Sequence, residues 1–468
     1  MASKRLLRHA GALLALMTFL ATTKTALSAD VDPALVAQGR YLAIAADCGA
    51  CHTAPGGTPM AGGLAVATPI GSIISTNITP SKSAGIGNYT LEQFSDALRR
   101  GVRADRKQLY PAMPYTAYAK ITDGDIKALY SYFMLGVAPV DKRPPQTHLP
   151  FPFDIRLSMK AWNLLFLDTK PFAPDPAKDA EWNRGAYLAL SLGHCGTCHT
   201  PRNLLMAENH SRLFAGGDLG TWFAPNITSD PNSGIGAWSV DDLVSYMRDG
   251  RAPGKGQAAG PMAEAVDQSL RHLHEGDLKA LAAYLLTVPP IKSPAATRPP
   301  SAWGAPGGQL AAIRGVTPPQ DQEQWSGPQL YDGYCATCHQ AAGQGSFDGR
   351  LPSLFHNTTL GRPNSANLVM AILEGVHREP DVDMPGFARQ LSDRDVATLG
   401  NYLLQQYGNP TAKVTVDEVK TLRAGGVSAD WLIWVARIGI AVIALIIIAI
   451  VIVLGFLVAR RRRTMKSV

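Results

Sequence analysis

Cys48-Gly-Ala-Cys51-His52, Cys195-Gly-Thr-Cys198-His199 and Cys335-Ala-Thr-Cys338-His339 decide how this chain is read. Each is a C-x-x-C-H stretch, in which two thiols add across the vinyl groups of a haem and the adjacent histidine binds its iron. One helical turn separates the cysteines, so both sulfurs meet the same porphyrin edge. The three copies use all six cysteines of the chain. No thiol remains for a disulfide, and every pair is followed at once by its own histidine, unlike the spaced pairs of a zinc cluster. Three covalently bound haem c groups are therefore expected, on Cys48, Cys51, Cys195, Cys198, Cys335 and Cys338. His52, His199 and His339 are the expected proximal ligands.

At 468 residues the chain has room for about three domains. Its net charge of +7 comes from its ends. Lys4, Arg5, Arg8 and Lys24 stand in 1–29 without an acid, and Arg460 to Arg463 with Lys466 close the chain, leaving −2 between them. A nucleic-acid surface is not indicated. The basic start, the apolar run 10–20 and the small residues near Ala29 predict a secretory signal peptide over 1–29. From Ile438 to Ala459 there are 22 residues without a charge, long enough to cross a bilayer. Trp431 and Trp434 flank the run, and the arginines that follow predict a cytoplasmic C-terminus with the haem motifs in the periplasm, at the bacterial inner membrane.

Between the ends one plan repeats. A helix leads into each haem motif (33–46, 179–192, 327–334), and a helix with apolar residues at i, i+3, i+4 closes each unit (123–135, 275–286, 392–406). The expected fold is all-α: three tandem class I cytochrome c domains plus one C-terminal transmembrane helix. The domains are placed at 30–142, 176–290 and 323–408. Proline-rich linkers at 143–175 and 291–322 are expected to keep neighbours close without fusing their cores. A juxtamembrane linker is placed at 409–430, the membrane helix at 431–459 and a basic tail at 460–468. Tethered directly to the anchor, the third domain is expected nearest the bilayer.

The first two units are internal duplicates. Asn77-Ile78-Thr79 matches Asn226-Ile227-Thr228, and Gly85-Ile86-Gly87 matches Gly234-Ile235-Gly236, each pair 149 residues apart. The Asn-x-Thr triplets read as turn elements of the repeat. The same offset joins Met113 to Met262, both beside a proline. Methionine is the common sixth ligand of cytochromes c, so Met113 and Met262 are the candidates for the first two irons and Met384 for the third, with His377 its rival. Met134, Met247 and Met370 read as core, and Met60 and Met206 lie too close behind their motifs. Three six-coordinate irons would make the chain an electron wire, not catalytic alone. A haem enzyme with one five-coordinate iron, or a cytochrome subunit of a terminal oxidase, are the alternatives.

The stretches GRYLAIAADCGACHTAPGG, AGGLAVATPIGSIISTNITP, GIGNYTLEQFSDALRRGV, LYPAMPY and GHCGTCHTPRN resemble the triheme cytochrome c subunits of membrane-bound periplasmic dehydrogenases of acetic acid bacteria. The resemblance implies a partner dehydrogenase large subunit acting on an alcohol, aldehyde, sugar or sugar acid. That partner would be a quinoprotein, a flavoprotein, or a molybdopterin enzyme with an iron–sulfur subunit. It also implies electron delivery to ubiquinone in the membrane or to a terminal oxidase. Carried over, His52 with Met113, His199 with Met262 and His339 with Met384 would hold the three irons. The clean spanning helix with four arginines leans toward the aldehyde-oxidising branch.

Overall fold

The computed structural model describes residues 32–378, 383–426 and 430–464. The leader expected over 1–29 and residues 465–468 of the tail lie outside the described residues. Three helix crossings organise the rest. Pro33–Ala45 packs on Asp123–Ser131, Ala180–Tyr187 on Glu275–Leu285, and Gly327–Tyr334 on Asp393–Tyr407. The starts of these helices follow from local chemistry. Asp32, Thr122, Asp179 and Ser392 each accept a bond from a first-turn amide, and proline follows Asp32 directly. The closing helices bury the residues that the periodicity singles out, among them Leu129, Leu278, Leu281, Val396 and Leu399.

Each crossing is too close for a side chain. A Cβ on Gly39 would lie 1.9 Å from the Ala128 carbonyl oxygen, one on Gly185 1.9 Å from that of Ala280, and one on Gly327 2.4 Å from the Tyr402 Cβ. Glycine lets the leading helix rest on the backbone of the closing helix.

Helices make the cores of this helix-rich chain, as the all-α reading expects, and short ladders are confined to its loops. Four antiparallel two-stranded ladders occur among the described residues, for instance Ala65–Thr68 with Gly71–Ile74 and Gly375–Val376 with Met384–Pro385. The first three lie in loops after the first two histidines, where turns holding Gly71, Gly220 and Gly254 bring short extended runs together. The stretches read as linkers also carry structure. Ser158–Phe166 is a helix inside 143–175. Trp303 and Leu310 of 291–322 are buried, and the helix Val416–Arg423 buries Val419 and Leu422 in the third core.

The first two bundles are joined more tightly than expected. Their buried side chains form one continuous cluster, running from Leu42 and Leu129 to Leu188 and Leu281. Unfused cores, as read from the prolines, are thus corrected. A reciprocal set of hydrogen bonds crosses the joint. Tyr41 Oη donates to Asp277 Oδ2 at 2.6 Å, and Tyr187 Oη donates to Asp125 Oδ2 at 2.6 Å. Tyr41 Oη accepts from the His274 amide (3.1 Å) and Tyr187 Oη from the Thr122 amide (3.3 Å). Each aspartate is also held within its own bundle, Asp125 by Gln38 and Asp277 by Arg184. Residue i of one copy meets j of the other, and j meets i, as in a two-fold dimer. The internal duplication has been docked on itself.

The C-terminal helix Asp430–Thr464 has 35 residues, about 52 Å at 1.5 Å per residue. Its segment Trp431–Ala459 is long and apolar enough to cross a membrane, and none of its most apolar stretch is buried against the protein.

Candidate functional site: histidines and methionines at a shared cavity

Each C-x-x-C-H ends on a short helical turn, and each histidine is fixed in the same way. His52 Nδ1 donates to the Thr76 carbonyl at 2.6 Å, His199 Nδ1 to Pro225 at 2.6 Å, and His339 Nδ1 to Pro352 at 3.0 Å. That bond sets the tautomer and leaves Nε2 with a free lone pair for a metal. Burial pulls all three imidazoles below their ordinary range, keeping them neutral. Burial pushes the thiols of Cys48, Cys195 and Cys335 up to about 12.

Thr76 and Pro225 immediately precede the two Asn-x-Thr triplets, which accounts for their repetition. Asn77 Oδ1 accepts from both the amide (2.9 Å) and the hydroxyl (2.7 Å) of Thr79, and Asn226 Oδ1 does the same for Thr228 (2.8 and 2.7 Å). The Asn77 amide donates to Val140 O and the Asn226 amide to Ile291 O, tying each turn to the chain beyond its closing helix. The triplets are buried turns that hold the carbonyl facing the histidine. Sequence reading found the triplets, but not the carbonyl they aim.

One cavity brings the second and third sets together. Cys195, Cys198, His199 and Met262 line it along with Cys335, Cys338, His339 and Met384. Met262 stands in the first turn of Pro261–Gln268, and Met384 in the short ladder with Val376. His377, the rival of Met384, lies outside the cavity lining, its ring exposed and engaged with Glu374 O and Asp383. Met113 lies outside this cavity too. It is half-buried against the core that Cys48 also touches. Met60 packs against the same core, and its methyl would lie 3.7 Å from a Cβ on Gly49 of the first motif. The first site adjoins the second: the helix Pro261–Gln268 packs on the Cys48–His52 turn, and the Cys51 and Cys198 thiols are within electrostatic reach.

The donor set fits a haem better than a bare metal ion. Among the described residues no three His, Cys, Asp or Glu side chains converge on a point. Instead, neutral imidazoles and methionines line an apolar space. Arg362, which the sequence did not mark, also lines it, and burial pulls its guanidinium down to about 10. Its described hydrogen bond is to the Ser233 carbonyl at 3.3 Å. A cation so placed calls for an anion, and haem propionates are such groups. Arg362→Gln removes positive charge beside His199 and destabilises the reduced state. The reduction potential nearest it is expected to fall by on the order of tens of millivolts, read by spectroelectrochemical titration.

Residues 322–403 match the family described as cytochrome C oxidase, cbb3-type, subunit III. The fructose dehydrogenase cytochrome subunit of Gluconobacter japonicus is 48% identical over 409 residues, spanning 84% of this chain and 83% of that protein. The gluconate 2-dehydrogenase cytochrome c subunit of Pantoea cypripedii is 38% identical over 84% of this chain and 90% of its own length. The quinone-type alcohol dehydrogenase cytochrome c subunit of Gluconacetobacter polyoxogenes is 36% identical over 89% and 91%.

Proposed function

Because this chain belongs to the family of cytochrome c subunits of fructose, alcohol and gluconate dehydrogenases, we propose that it is a triheme electron-transfer subunit. It takes electrons from a dehydrogenase large subunit and passes them to ubiquinone in the membrane that its C-terminal helix spans. Three tandem cytochrome c domains carry the haems on the periplasmic side, and the C-terminal arginines stay in the cytoplasm. When bound, each haem supplies a one-electron carrier.

The observation that carries this reading is the repeated site. Each histidine is half-buried or buried and locked by a carbonyl, and Met262 and Met384 share a cavity with the second and third of them. His52 with Met113, His199 with Met262 and His339 with Met384 would hold the irons. Methionine sulfur paired with each histidine would raise the potential of a bound haem and leave it no position for small ligands. The protein's work is to orient the ligands and keep water from them. Which molecule is oxidised belongs to the catalytic partner, whether a quinoprotein, a flavoprotein or a molybdopterin enzyme.

Purified native complex tests this. Pyridine haemochrome analysis is expected to give three haems c per chain, and the ferrous protein is expected to bind no carbon monoxide. Stoichiometric carbon monoxide binding at one haem would make the chain a haem enzyme instead. The cbb3-type match over 322–403 favours a second reading, a terminal oxidase subunit. Co-purification of an oxidase catalytic subunit in place of a dehydrogenase would decide for it.

A further inference from the structure

The helix Ser158–Phe166 is apolar on both sides: Met159, Trp162 and Phe166 are half-buried, and Leu164 and Leu165 are exposed. Its polar Asn163 faces inward, where its side-chain oxygen accepts from Tyr115 Oη at 2.8 Å and its amide donates to Arg100 O at 3.3 Å. Trp162 lies edge-on to Tyr115 and donates through its indole to Leu205 O at 2.9 Å. The leucines point out: Leu157, Leu164 and Leu165 fall on one helical face at i, i+7 and i+8 and are 67%, 87% and 66% exposed. Across the Trp162 bond, Leu204 and Leu205 extend the same apolar surface at 84% and 56% exposure. A water-facing helix gains nothing from leucines there, and a contiguous outward patch marks a surface that something apolar covers.

Continuity with the anchor identifies the cover. Arg437, the last charge before the apolar run that begins at Ile438, donates through Nε to the Phe151 carbonyl at 3.1 Å. Phe151 is itself exposed and lies in the same linker, seven residues before the helix. The linker therefore meets the C-terminal helix at the level where its charged part ends. Lys160 stands exposed on the helix, suited to anionic headgroups.

We propose that the linker helix Ser158–Phe166, with Leu204 and Leu205, lies in the outer interface of the bilayer as a second membrane contact. It rests on the reading of Asp430–Thr464 as the membrane anchor. The loop after the first bundle then stands at the membrane, where the tether alone had pointed to the third.

The test uses the full-length chain, alone and in its complex, in nanodiscs of phosphatidylethanolamine and phosphatidylglycerol. A trace phospholipid carries a diazirine near the glycerol end of one acyl chain. After irradiation and digestion, lipid adducts are expected on the anchor peptides, on those covering 157–166 and on those holding Leu204 and Leu205. The peptide holding Phe347, equally apolar and fully exposed on the third bundle, is expected to carry none. Leu164→Gln with Leu165→Gln, both at exposed positions, is expected to lose the adducts at 157–166 and keep those on the anchor. Adducts on the anchor with none at 157–166 overturn the proposal and leave the anchor standing. Absence of adducts on the anchor overturns both. Labelling of 157–166 in the chain alone that vanishes in the complex gives this face to the dehydrogenase, and also overturns the proposal.

Discussion

A chain carrying Cys195→Ser and Cys198→Ser is expected to hold two haems against the three proposed for the native chain, and its complex is expected to lose nearly all electron delivery to quinone. The second site is central by geometry. It shares a cavity with the third and adjoins the first through the Met262 helix and the Cys51–Cys198 approach. Without thioethers the haem is held by its axial ligands alone, so the site empties during purification. Pyridine haemochrome counts the loss. Substrate oxidation with a dye that accepts at the catalytic subunit is expected to remain, separating a broken wire from a broken enzyme. The milder Met262→His is expected to keep the haem count and lower one potential, because exchanging a methionine ligand for a second imidazole favours the ferric state. Undiminished quinone reduction by the double-serine variant would remove the second haem from the route.

Gly185→Ala is expected to cost about 3 kcal/mol or more. Its Cβ would lie 1.9 Å from the Ala280 oxygen and 2.5 Å from the Ala280 carbon. The obstacle is backbone in a helix, which no rotamer change relieves. The two helices must separate, and they carry Tyr187, Leu278 and Leu281 of the shared core. Tyr187, two residues on, would be drawn from Asp125, loosening the joint with the first bundle as well. Gly276→Ala on the same closing helix is the control. A Cβ there meets nothing within 4 Å, and the change is expected to stay within about 0.5 kcal/mol. Denaturant unfolding followed by circular dichroism reads both. Equal stability of the two variants would show that the crossing yields.

The sequence by itself determined what is local. The C-x-x-C-H stretches fix covalent chemistry within five residues. The leading and closing helices are written in caps and in 3.6-residue periodicity, and the constant offset between the first two units exposed Met262 through Met113. The uncharged run near the C-terminus announced its helix for the same reason: length and composition suffice. The tertiary structure decided what depends on apposition. Nothing in Tyr41 or Asp277 says that they meet across a pseudo-two-fold joint, since their partners lie 236 residues apart. Nor does the second motif say that it opens on the same cavity as the third. The stretch 143–175, read only as a proline-rich linker, held a helix with apolar residues on both sides. Which face turns inward depends on what the rest of the chain presents there, here the Tyr115 hydroxyl to Asn163.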